Sequence, residues 1–274
     1  MSVSHQKGSP VNCILHLSDP HFGTEVTEVA QAVTRLAHQL RPDLVVLSGD
    51  ITQRARTAQF AAARAFMDGL EAPRLVVPGN HDIALFNLWG RWRRPYAGHR
   101  AAFGDELEPV FRSPALLVLG VNTTRAHRHK NGEVSTDQIH RVAQQLHTAT
   151  PQQLRVVVVH QPIEVMHEQD APDRLIGHAQ AQARWAEAGA DMVLGGHIHL
   201  PYVMPLPGLA RPMWVVQAGT AVSRRVRPEA PNSVNLVRWH AADGTCVVEQ
   251  WDYDATRHLF EPVRVTNITP QRPR

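Results

Sequence analysis

Lysine is almost missing from this chain. Lys7 and Lys130 are the only two among 274 residues, so arginine supplies nearly all the positive charge behind a formal net charge of +3. Arginine suits two-pronged contact with phosphate, but a compositional bias explains the excess more simply. Cysteine is as scarce: Cys13 and Cys246 stand alone, with no CxxC spacing. That excludes a disulfide framework, and both read as small buried hydrophobes on strands. A Gly/Ser linker, a low-complexity tract and a repeat at solenoid spacing are also missing, which argues against separate domains or a repeat architecture. No apolar run approaches the ~20 residues of a membrane span. The opening MSVSHQKGSP lacks the apolar core of a signal peptide, so a cytoplasmic protein without a membrane partner is expected.

What is present is an ordinary core-forming composition, 43% hydrophobic and 19% charged. One domain over residues 1–274 is expected, with 1–10 as a flexible N-terminus. Val11 to Leu17 reads as a first strand. A helix follows from Val26, where Val26, Val29, Val33, Leu36 and Leu40 keep the spacing of one buried face. Asp43 to Leu47 is a second strand, Thr57 caps a second helix, and Arg74 to Val77 is a third strand. Strands alternating with helices predict a parallel sheet whose ligands collect beyond the C-terminal strand ends.

Residues 83–108 form an irregular insertion. Its LWGRWRRPY run, Leu88 to Tyr96, reads either as a lid or base-stacking strip, or as a packing segment or subunit contact that would make a homodimer. Further strands are expected at Ala115–Val121, Leu154–Val159 and Asp191–Leu194. Helices are expected after the Ser135/Gln138 capping box and over Gly177–Ala188. Over residues 200–265 strands follow one another without helices, which predicts a second, largely antiparallel sheet packed on the first. The fold class is therefore α/β: a two-sheet β-sandwich flanked by helices, four layers α-β-β-α, with mixed parallel and antiparallel strands.

Five apolar runs stop at residues able to bind a metal ion: LHLSDPH (Leu15–His21), LVVLSGD (Leu44–Asp50), LVVPGNHD (Leu75–Asp82), VVVVH (Val156–His160) and LGGHIH (Leu194–His199). For any one of them a turn or cap hydrogen bond is the simpler reading. Five in one chain imply a site built from adjacent strand ends. The candidate ligands are Asp19, His21, Asp50, Asn80, His160, His197 and His199. Mixed imidazole and carboxylate donors suit Zn, Mn, Fe or Co better than Ca or Mg. Seven are too many for one tetrahedral site and fit two divalent ions that share a carboxylate. Asp50, alone on a short Gly-Asp turn, is the natural bridge.

The ordered set DxH, GD, GNHD, strand-end His and GHxH resembles the calcineurin-like binuclear metallophosphoesterase superfamily, over Asp19 to His199. Among its branches the chain most resembles the bacterial class III cyclic-nucleotide phosphodiesterases. Ala218-Gly219-Thr220 through Asn232-Ser233 is also similar to that branch. The resemblance implies Asp19, His21 and His199 on the first ion, Asn80, His160 and His197 on the second, and Asp50 between them. His81 would contact phosphate, with Asn80, and act as general acid. Asp82 would orient His81 or support its loop. The implied reaction is hydrolysis of a small soluble phosphodiester, 3',5'-cyclic AMP type first, by a metal-bridging hydroxide with His81 assisting the leaving group. Two divalent ions, two aspartates and a hydroxide sum to one net positive charge, which matches a diester monoanion.

Rival readings keep the same metals or discard them. A nuclease or a broad-specificity phosphoesterase, acting on monoesters or glycerophosphodiesters, uses the same site. Nucleic acid is not the favoured partner, because no long basic stripe is seen. A non-catalytic scaffold, as in a retromer subunit of this superfamily, predicts a broken ligand set or no His81, and neither is the case. His16 reads as a core histidine, and His127, His129, His167 and His178 as solvated loop residues, with His127 a candidate for the pocket mouth. Asn122 could support the site, and Arg224, Arg225 and Arg227 could reach a phosphate. Exposed loop arginines are common, so these three are left out of the site.

Overall fold

The computed structural model describes residues 11–84 and 93–272. The N-terminal segment 1–10 and residues 85–92, with Trp89 and Trp92 of the insertion, lie outside the described residues. Twelve strands among these residues form two six-stranded sheets. The first is ordered β12 (Leu259–Ile268), β11 (Thr245–Asp254), β10 (Ser233–His240), β1 (Val11–Leu17), β2 (Leu44–Leu47) and β3 (Arg74–Val76). The second is ordered β4 (Val110–Arg112), β5 (Leu116–Gly120), β6 (Leu154–Val158), β7 (Met192–Gly195), β9 (Trp214–Gln217) and β8 (Tyr202–Pro205). β1, β2 and β3 run parallel, as do β5, β6, β7 and β9; the remaining pairings are antiparallel.

The two sheets bury a common layer made of alternate residues from each. Ile14, Val46 and Leu75 of the first meet Val118, Val156, Leu194 and Val216 of the second. The other face of the first sheet, with Leu15, Leu17, Val45 and Leu47, is covered by helices α1 (Thr27–Leu40) and α2 (Thr57–Asp68). The other face of the second, with Leu117, Leu119, Val157 and Val193, is covered by α4 (Thr136–His147) and α5 (His178–Ala188). Strands buried on both faces need apolar side chains at every position, which is why these runs do not alternate with polar residues. The fold is the expected four-layer sandwich.

Three local expectations change. The C-terminal strands do not form a sheet of their own. β8 and β9 complete the second sheet, β9 parallel to β7, while β10 to β12 extend the first from β1. β10 shows the reason: Val234 and Leu236 pack toward the helices, whereas Val237 and Trp239 pack between the sheets. A strand apolar on both faces belongs inside a sheet, and β10 finds that place beside β1, more than two hundred residues earlier. Thr57 is not the cap of α2. Arg56 holds that position, and the Gln59 side chain reaches back to accept from the Arg54 and Arg56 backbone N–H groups. The 83–108 insertion is not wholly irregular, since Ala97–Phe103 is a short helix, α3. The Ser135/Gln138 capping box forms as expected, with both reciprocal bonds made. Cys13 and Cys246 are free and buried.

Candidate metal centre

Each polar motif lies just past the C-terminal end of a parallel strand. Asp19 and His21 follow β1, Asp50 follows β2, and Asn80 to Asp82 follow β3; His160 follows β6, and His197 and His199 follow β7. The first three loops come from one sheet and the last two from the other, and they meet at one rim. Five of the seven candidate ligands sit in left-handed backbone: φ is 52° at Asp19, 43° at His21, 47° at Asp50, 75° at His197 and 58° at His199. That conformation costs roughly 1–2 kcal/mol for a residue with a Cβ, and it is held by bonds between loops. Asp19 N–H donates to Gly49 O at 3.1 Å, His21 N–H to Asp50 O at 3.0 Å, and His197 N–H to Asp19 Oδ2 at 2.8 Å. Gly196 allows the closest approach, because a methyl there would run into Ser18 Oγ and the Asp19 carboxylate.

The side chains converge in three overlapping groups: Asp19, His21 and His199; His21, Asp50 and His81; and Asp50, His160 and His197. Within each, ligand atoms all lie within 4.8 Å of one another. Asn80 joins the third, its Oδ1 3.2 Å from His160 Nε2. Asp50 belongs to two groups and stands between His21 (3.7 Å) and His160 (3.2 Å). All seven candidate ligands are therefore brought together, with His81 beside them.

Backbone carbonyls orient the rings. His160 Nδ1–H donates to Ser48 O at 2.8 Å and His199 Nδ1–H to Arg225 O at 2.5 Å, so each Nε2 turns inward. His199 Nε2 then lies 3.1 Å from His21 Nε2 and 3.3 Å from Asp19 Oδ1. Burial alone would lower the pKa of His160, but Asp50 beside it raises the imidazole to about 9. The same competition, burial against Asp19, leaves His199 above its ordinary value. Burial takes His21 down to about 3 against the pull of Asp50 and Asp19. Asp50 is held well below the carboxylate range: burial works against the charge, and His160 with the other imidazoles outweighs it.

These residues fit a pair of divalent cations. Asp19 is fully buried and Asp50 is 2% exposed, yet no lysine or arginine forms an ion pair with either among the described residues. Among the described residues Asp19 Oδ1 accepts no hydrogen bond, and both ring nitrogens of buried His197 lack a hydrogen-bond partner. Buried charge and buried lone pairs without donors are costly unless a cation meets them.

The neighbours sort less evenly. Asp82 does not orient His81. Its carboxylate accepts from the backbone N–H groups of Gly79, Ile51 and Thr52 and from Thr52 Oγ1, at 2.8 to 3.1 Å, tying the β2 loop to the β3 loop. Burial and the charge of Asp50 push its pKa up to about 7 against those donors. His81 is oriented by Gln53 instead, with Nδ1–H donating to Gln53 O at 3.0 Å. His16 is fully buried with Nε2 bonded to Ser48 Oγ at 2.9 Å. Asn122 bonds within its own loop to Thr124, and the adjacent Thr123 hydroxyl receives the His160 N–H at 3.4 Å. His127, His129 and His167 are exposed and His178 is half-buried; of these His129, not His127, lines the cavity over the site. That cavity, about 470 Å³, is also lined by Arg225 and Arg227, which the sequence reading left out. Asn232 was the available signal for them: its Nδ2 donates to Thr220 O and Ser223 O and pins the loop that carries both.

Comparison with known proteins agrees with this geometry. Residues 14–201, more than half of the chain, match the sequence model of the calcineurin-like phosphoesterases. A glycerophosphodiester phosphodiesterase, GpdQ, of Enterobacter lignolyticus is 26% identical over 170 residues, covering 58% of this chain and 60% of that protein. A probable cyclic nucleotide phosphodiesterase of Synechococcus sp. is 27% identical over 192 residues, covering 66% of this chain and 67% of its own length. The match thus spans about three fifths to two thirds of these relatives. Among solved structures, the purple acid phosphatase PPD1 of yellow lupin superposes with a TM-score of 0.72 at 10% identity, over 95% of this chain and 54% of that one. No helix among the described residues is long and apolar enough to cross a membrane. By its matched sequence and its four-layer sandwich, the chain belongs to the calcineurin-like phosphoesterase family.

Proposed function

We propose that the chain, acting as one metallophosphoesterase domain, hydrolyses phosphodiester bonds in small soluble substrates, with cyclic nucleotides the first to try. The observation that carries this is the position of Asp50, shared by two groups of ligand atoms drawn from both sheets. Asp19, His21 and His199 would hold one divalent ion, Asn80, His160 and His197 the other, and Asp50 both. Zn, Mn, Fe and Co suit this donor set. Such a pair, when bound, neutralises phosphate oxygens and makes water acidic enough to attack at neutral pH.

The chain's own residues do the rest. His160 and His199, fixed through Nδ1 by backbone carbonyls, present Nε2 at a set angle. Asn80 and His81 face the cavity where the phosphate would lie. His81 Nδ1–H is committed to Gln53 O, so Nε2 is the atom to exchange a proton with the leaving oxygen. The names of the phosphodiesterase relatives support a diester substrate. A broad phosphoesterase is the second reading, favoured by the open, arginine-lined mouth of the cavity. The test is a panel of cyclic nucleotides, glycerophosphodiesters and monoesters, assayed after chelation and restoration of each metal. Metal-dependent turnover of diesters supports the proposal; turnover unaffected by chelation refutes it.

A further inference from the structure

Arg225 is the one cation at the cavity mouth whose charge is not answered by a carboxylate among the described residues. Lys130 pairs with Asp173, and Arg227 pairs with Asp170 at 3.1 and 3.2 Å. Arg225 reaches no acid. Its Nη1 lies 3.2 Å from Gln53 Oε1, 3.2 and 3.3 Å from the two ring nitrogens of His21, and 3.3 Å from His81 Nε2. One nitrogen with two hydrogens cannot satisfy all of these neighbours at once, and a neutral His21 offers only one of its two ring nitrogens as an acceptor. Such bonds are weaker than those a guanidinium makes to a phosphate oxygen, which are shorter and charge-assisted.

The backbone of Arg225 is fixed, by contrast. Its N–H donates to Ser223 Oγ at 3.2 Å, and its carbonyl accepts from Thr220 Oγ1 at 3.0 Å and from His199 Nδ1 at 2.5 Å. The residue therefore orients His199 through its main chain while its side chain stays available above His21 and His81. A substitution of the side chain leaves the support of His199 in place.

We infer that Arg225 binds the phosphate group in this cavity and tunes the site toward dianionic phosphate, the charge state of a phosphomonoester. The inference rests on the hydrolase reading. One net positive charge balances a diester monoanion; Arg225 raises the sum to two and balances a dianion. The monoester is either a second substrate or the retained product of diester cleavage, and both require the same contact.

The test compares metal-loaded wild-type protein with Arg225→Met and Arg225→Lys. Inorganic phosphate is titrated calorimetrically at pH 8, where it is a dianion. KM is measured for p-nitrophenyl phosphate and for bis-p-nitrophenyl phosphate, a monoanion. Arg225→Met weakens phosphate binding about tenfold or more, on the order of 1.4 kcal/mol. It raises KM for the monoester by a similar factor and for the diester by a smaller one, with metal content unchanged. Arg225→Lys recovers part of the loss, since it keeps the charge without the fork. Where the monoester is bound but not turned over, its inhibition constant against the diester replaces KM, and the same rise in Arg225→Met supports the contact. Unchanged phosphate affinity in Arg225→Met, or equal weakening of diester and dianion, overturns the inference. The phosphate titration reads the contact even where neither ester is cleaved, so failure of the hydrolase reading has a different signature.

Discussion

Asp50 Oδ1 lies 3.2 Å from His160 Nε2 and 2.9 Å from the His81 backbone nitrogen, joining loops from three strand ends at one buried oxygen. In the metal-free protein a proton on His160, whose pKa is raised to about 9, occupies this contact. Metal binding there displaces a proton, so affinity rises with pH.

Asp50→Ala should strip the site while sparing the fold. Without Asp50 the dominant influence on His160 is burial, which favours the neutral ring, so His160 is not left as an unpaired buried charge. Metal content should fall from two ions per chain, kcat/KM should drop by about a thousandfold or more, roughly 4 kcal/mol of transition-state stabilisation, and the metal-free Tm should shift only a few degrees. Elemental analysis, kinetics and melts read these three effects, and full turnover would refute the bridging role.

His81→Ala should keep its metal and lose turnover, because its ring contacts Gln53 and Arg225 and it lies outside the proposed set of seven ligands. General acids contribute about 10²–10⁴-fold. The loss should be greatest for alkyl esters and least for p-nitrophenyl esters, whose leaving group needs no proton. Equal losses across that series contradict the acid role.

Much of this site was legible because parallel strands deliver their C-terminal ends to one rim, so LHLSDPH, LVVLSGD and LGGHIH announce their neighbours by position alone. Partners set by distant chain were not. Nothing near Ser233–His240 says that it pairs with Val11–His16, and Asn232 signals a pinned loop without saying that the loop carries Arg225 over His21. Of the two roles open to Asp82, it takes loop support: adjacent in sequence to His81, it turns the other way, toward Ile51 and Thr52.

Acid should destabilise the protein through a group far from the chemistry. His99 in α3 is fully buried beside Phe103 with neither ring nitrogen hydrogen-bonded among the described residues, and burial lowers its pKa to about 4. Between pH 6.5 and about 4 the unfolded chain holds the proton and the folded chain does not. Its contribution is therefore unchanged above pH 7 and turns unfavourable as pH falls, by about 3 kcal/mol at most. His99→Leu should flatten the melting profile in that window by close to one proton. An unchanged slope contradicts the assignment.

The most direct test of the paired-cation centre is anomalous diffraction from crystals grown with Mn or Zn, scanned at the absorption edge of the added metal. Two peaks are predicted, one among Asp19, His21 and His199, the other among Asn80, His160 and His197, with Asp50 touching both. A single peak at saturating metal, or density away from Asp50, contradicts the account.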